Sequence, residues 1–275
     1  MQIIVAHRLG INNWTARTGP FDEYIDWDHV VTRATWYPAV ATLIASAIAS
    51  RLSRRAQESS LWLPVAAWLG ACLSAVPLLY GLAVTAPEEA INHSPAGVAW
   101  ATVTGGVVGL VAAIVAQKHR QVGIGLLSYA LWVSLLEFTR PLWWDRPPPF
   151  DPFLSETVSS DTGAYVVEAI FTEAGGLTAG LAGPVLVSGI VAVLVTARSG
   201  RWGTGVLSGT AGPLLLFTVY LTFDAGLGDQ ESRQAALWGI ALLGVLIGLV
   251  ASMVAATAVR CVARLRGAML VGSGA

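Results

Sequence analysis

A chain of 275 residues that is 55% hydrophobic and only 12% charged, with mean hydropathy +0.63, carries far too little charge for a soluble domain, in which about a quarter of residues are charged. Several apolar runs are long enough to cross ~30 Å of hydrocarbon, so the composition points to an all-α, polytopic integral membrane bundle. The net charge of −1 gives no basic surface for nucleic acid, and the two cysteines, Cys72 and Cys261, give no disulfide framework and no Cys-based metal site.

Residues 1–34 form an extracytoplasmic segment with no signal-peptide core. Within it Phe21, Tyr24, Ile25 and His29 share one helical face, with Glu23, Asp26 and Arg33 opposite. That pattern fits an amphipathic helix at the membrane interface and fits a polar tail equally. Spans one to four occupy 35–138. The first, 35–50, is short of the ~20 residues a straight crossing needs, and carries Ala41, Ala45 and Ala49 as a face for close helix approach. The second, third and fourth run over 61–84, 96–117 and 122–138, the last stopped near Arg140 by Pro141.

The interval 139–173 is the long polar break, an extracytoplasmic loop rich in Trp and Pro. It holds Trp143-Trp144 and the stiff run Pro147-Pro148-Pro149. Spans five to seven follow within 174–260, at 174–197, 202–223 and 235–259, and 261–275 is a cytoplasmic tail. With alternate loops on alternate sides, ten of the sixteen Lys and Arg fall together in short loops, and fifteen of the seventeen acids fall on the other side. The basic side is cytoplasmic, which predicts seven helices with the N-terminus outside and the C-terminus inside.

Candidate chemistry collects on the outer side. Glu137 is the one acid within an apolar run, with Arg140 one turn on as an ion-pair partner. Trp132, Trp143 and Trp144 would line a pocket around it, and Asp224 ends span six on the same side, where the helix dipole disfavours an acid. Interfacial Trp anchoring is the plainer account of the indoles. Pro184 and Pro213 recur in the matching stretches Gly-Leu-Ala-Gly-Pro and Gly-Thr-Ala-Gly-Pro of spans five and six, about mid-span. Paired interruptions of that kind mark some transporter sites, but two kinked helices packed through their glycines explain them more simply. Gly176-xxx-Gly180, Gly205-xxx-Gly209 and Gly244-xxx-Gly248 offer close helix contacts, inside the chain or between subunits. Asp26, Asp28, His29 and His93 are the weak candidates for a metal site, without tight ligand spacing.

No His or Lys lies in a span, which removes transmembrane haem ligation and a retinal Schiff base, and there is no phosphate-binding or dinucleotide fingerprint, so no cofactor is expected. Two function classes remain. One is a subunit of a membrane assembly, or a component that binds and transports a small solute, acting through the outer face. Its partners would be the bilayer and other membrane subunits, or a second copy held through Gly-xxx-Gly faces. The other is an integral enzyme on a lipid-borne substrate, with Glu137 and Asp224 as acid and base. The first is preferred, because little charge is buried and the loop is stiff and aromatic.

Overall fold

The computed structural model describes residues 27–53, 61–84, 94–139, 182–222 and 231–272. Among them there are seven helices and no strand: α1 (Trp27–Leu52), α2 (Trp62–Val84), α3 (Pro95–Lys118), α4 (Arg120–Thr139), α5 (Ala182–Ser199), α6 (Trp202–Thr222) and α7 (Glu231–Gly272). Four are long and apolar enough to cross a membrane, namely α2, α3, α6 and the Ala241–Arg266 part of α7. α4 and α5 contain shorter apolar stretches, Arg120–Leu136 and Gly183–Ser199.

The helix ends follow local chemistry. Ser94 caps α3 by accepting the Gly97 N–H at 3.0 Å, and Pro95 fills the first helical position, where no N–H is needed. His119 alone separates α3 from α4, donating its N–H to the Val115 carbonyl at 2.8 Å and accepting from Gly123 at 3.0 Å. Between α5 and α6 the chain turns on Gly200, whose φ of 68° a side chain would resist and whose N–H reaches the Thr196 carbonyl at 2.9 Å. Along the helices, Thr35, Thr102, Ser208, Thr210 and Ser252 return their hydroxyls to the carbonyl four residues back at 2.6–3.0 Å. Such local bonds satisfy a hydroxyl where water is absent.

Two three-helix groups make the bundle. In the first, α3 lies between α1 and α2; in the second, α5, α6 and α7 pack mutually, and α4 sits chiefly on α6. Glycines set these contacts. On α3, Gly105 and Gly109 face α1, where a Cβ would meet the Thr35 carbonyl oxygen and, at 2.7 Å, the Ala39 Cα. Gly106, one residue round, faces α2, with Cys72 Sγ at 2.6 Å and Trp68 Nε1 at 3.0 Å from such a Cβ. α6 repeats the arrangement. Gly205 meets α5 at Thr196 and Ala192, Gly209 meets Ser188 of α5 and Ser252 of α7, and Gly212 meets Tyr129 of α4.

The same pairs give the directions. Thr35 with Gly105, Ala39 with Gly109 and Ser46 with Gln117 make α1 and α3 parallel. Trp202 bonds Thr257 at 3.1 Å and Trp238 bonds the Tyr220 carbonyl at 3.0 Å, so α6 and α7 are antiparallel. Gly125 against Ser208 and Gly212 against Tyr129 make α4 and α6 parallel. The exposed side chains of Arg51, Lys118, Arg120, Arg198, Arg201, Arg260, Arg264 and Arg266 therefore gather at one end of the bundle.

Two helices run beyond the expected spans, and one packing face differs. α1 is the most enclosed helix, with every residue from 31 to 40 buried, and it runs unbroken from Trp27 rather than beginning near 35. Its packed face is not Ala41, Ala45 and Ala49, since Ala45 is exposed; Thr35, Ala39, Thr42 and Ser46 hold that role. α7 continues past 260 to Gly272, a helix of 42 residues.

Candidate functional site

The basic end offers little chain for a site. Its connections are one residue, His119, between α3 and α4, two residues, Gly200 with Arg201, between α5 and α6, and the interval 53–61 between α1 and α2. A shaped polar surface needs loop, and the longest interval between helices, 140–181, joins the opposite end.

At that opposite end the described residues place part of the expected set. Trp132 of α4 is half-buried, its indole against Gly183 of α5, where a Cβ would stand 2.6 Å from Nε1. Glu137 lies in the last turn of α4, two residues before Thr139; its side chain lies outside the described residues. So do Arg140, Trp143, Trp144 and Asp224, and so do Asp26 and His93 together with the side chains of Asp28 and His29. Among the described residues no three His, Cys, Asp or Glu come together as metal ligands.

Pro184 and Pro213 are both buried, and both face α7. Pro184 Cγ lies 3.6 Å from a Cβ built on Gly244, and Pro213 Cγ lies 2.9 Å from one built on Gly248. The proline rings of neighbouring helices thus fill a groove that Gly244-xxx-Gly248 opens one turn apart. Pro213 lies inside α6 near its middle, as expected. The residues before Ala182 that would make Pro184 mid-span lie outside the described residues, as do Gly176 and Gly180. Packed proline–glycine contacts are what the described residues contain here, and the glycine faces of α6 and α7 are filled from within the chain.

A polar seam runs beside that groove. Ser252 Oγ reaches the Gly248 carbonyl at 2.6 Å and the Ser188 carbonyl at 3.4 Å. The buried Ser188 and Thr196 hydroxyls, opposite Gly248 and Gly205, have no hydrogen-bond partner among the described residues.

The N-terminal half of α1 holds what the sequence did not single out. Thr32, Arg33, Thr35, Trp36 and Tyr37 are buried consecutively or nearly so, and Arg33 is only 6% exposed. Arg33 is the only buried charged side chain among the described residues. In the sequence it closes a segment dense in Asp and His and reads as the polar face of an interfacial helix. The missed signal is continuity: from Val30 to Ser50 no other charge interrupts the run, so one helix can carry a single arginine inward. Pro38 and Pro77 also lie inside helices, α1 and α2.

No family model, curated protein or solved structure matches the chain.

Proposed function

We propose that the chain is a seven-span protein of a prokaryotic plasma membrane, with its N-terminus outside, that acts through its outer face as a subunit of a membrane assembly or as a component that binds and passes a small solute. The observation that carries this reading is the division between the two ends of the bundle. Eight exposed lysines and arginines gather at one end, where two of the three connections have only one and two residues. A cytoplasmic placement of that end obeys the distribution of basic residues in membrane proteins. The other end receives the longer polar intervals and the buried Arg33, and intramembrane charge is by default functional. Because the Gly faces of α6 and α7 are occupied internally, partners meet other surfaces. α2 and α7 offer them, with Leu69, Leu73 and Tyr80 on one and Leu246, Val250 and Val254 on the other exposed.

Gentle detergent extraction from the native membrane, followed by identification of what co-purifies, tests this. A stoichiometric membrane protein or small solute supports it. A lone chain that turns over a lipid supports the enzyme reading instead, in which Glu137 and Asp224 act as acid and base beside Trp132, Trp143 and Trp144. Glu137→Gln would then abolish turnover and leave the helices folded.

A further inference from the structure

We propose that Arg201, immediately before α6, and Arg260 and Arg264 of α7 bind the phosphate of an anionic phospholipid whose acyl chains lie along the apolar part of the same α7 stripe. What carries the inference is charge above exposed apolar surface on one helix face, at the point where α6 and α7 are tied together.

That point is the bond from Trp202 Nε1 to Thr257 Oγ1, 3.1 Å long, which turns Thr257 toward the start of α6. A helix advances about 100° per residue, so Arg260 and Arg264, three and seven positions on, lie within about 60° of Thr257. The same spacing runs the other way. Val250, Met253 and Val254, seven, four and three positions back, share that stripe, and all are exposed. The contacts of Gly209 with Ser252 and of Gly248 with Pro213, together with the Trp202 bond, set Arg201 level with residues 258–260. Arg201, Arg260 and Arg264 are all exposed.

Depth fits a lipid headgroup. At about 1.5 Å per residue, Met253 lies about 6 Å to one side of Thr257, and Arg260 and Arg264 about 4.5 and 10.5 Å to the other. The headgroup layer adds about 5–8 Å on each side of the hydrocarbon. With Trp202 at the boundary, an ordinary place for an indole, the arginines span that layer and the apolar stripe meets the chains.

Charge points the same way. α5 and α6 contain no acid, and α7 contains none after its first residue, Glu231, while Arg198 in the last turn of α5 adds to the same field. Like charges gathered at one level repel, and an anion relieves them. Guanidinium binds phosphate oxygens through paired hydrogen bonds. The apolar part of the stripe decides the source of the phosphate: a soluble anion uses only the arginines, whereas a phospholipid uses both parts.

The test uses the full chain, delipidated in a neutral detergent and titrated with phosphatidylglycerol or phosphatidylcholine, with bound lipid counted by native mass spectrometry. Phosphatidylglycerol should be held about tenfold more tightly or better. Arg201→Gln, Arg260→Gln and Arg264→Gln should each weaken it about fivefold, the share of one arginine near an anionic surface. Arg266→Gln should change it less than about twofold, because position 266 is about 180° round α7 from Thr257. All four side chains are exposed, so the variants keep the fold, which circular dichroism checks. Equal retention of the two lipids would overturn the proposal, as would a loss from Arg266→Gln equal to that from Arg260→Gln. Displacement of the lipid by inorganic phosphate, or by a polyglutamate peptide of matched charge, would mark a site for soluble anions or acidic protein instead.

Discussion

Single glycines decide whether these helices can meet. A methyl group at Gly105 would land on the Thr35 carbonyl oxygen, backbone that cannot swing aside, whereas at Gly81 of α2 nothing lies within 4 Å. Gly105→Ala should therefore destabilise the protein by about 1–3 kcal/mol through overpacking. Gly81→Ala should be neutral or stabilise by about 0.5–1 kcal/mol, since alanine loses less backbone freedom on forming helix. Thermal or denaturant unfolding of the two variants in the same detergent separates them, and equal effects would mean that α1 and α3 do not touch at Gly105. At this scale much was legible. The four-residue spacing of Gly205 with Gly209 and of Gly244 with Gly248 foretold close contacts, and these are found. What spacing cannot encode is the destination of each glycine. Gly105 and Gly106 are adjacent in sequence and serve different neighbours, because one residue turns the helix by about 100°. Arg33 was hidden for a related reason: an arginine's burial depends on what surrounds its helix, not on its own flanks.

For whole helices, the relation between apolarity and position explains why α1 was underrated. A helix against lipid must be apolar around most of its circumference, as in α2, where Trp62, Leu69, Leu73 and Tyr80 are exposed. A helix enclosed by other helices is under no such demand, so α1 can bury Thr32, Arg33, Thr35, Thr42 and Ser46. Hydropathy therefore finds the outer helices readily and undervalues the enclosed one. Small residues at four-residue spacing also occur on more than one face of α1, and only packing selects among them. Ala39 lies under Gly109 and is fully buried, while Ala45 is exposed. Ala39→Leu should force α1 from α3 and cost about 1–3 kcal/mol or more, and Ala45→Leu, directed away from protein, should stay within about 0.5 kcal/mol of the parent. Unfolding midpoints of the two variants check this, and a larger loss from Ala45→Leu would restore the face first expected from sequence.

Across the molecule, charge and length together distinguish the two ends of the bundle. α7 has 42 residues and so extends for about 60 Å, twice the ~30 Å of a hydrocarbon core, and one end must leave the membrane. Trp202, at the start of α6, bonds Thr257, so the bundle ends near that level and the following Arg260, Cys261, Arg264 and Arg266 project beyond it, exposed. The chain thus carries its own topological reporter. Cys261 stands free at the basic end, while Cys72 is partly buried against α3 near Gly106. In cells expressing the Cys72→Ala protein, an impermeant maleimide should leave Cys261 unmodified until the membrane is opened, because the proposed topology puts the arginine-rich end in the cytoplasm. With both native cysteines replaced and Pro147→Cys introduced, intact cells should label at once. The two sites lie on opposite sides of the bilayer in the proposed topology, so each experiment controls the other for expression and reagent access. Labelling of Cys261 in intact cells, with protection of position 147, would invert the molecule and move the working face to the basic end, where two of the three connections have only one and two residues.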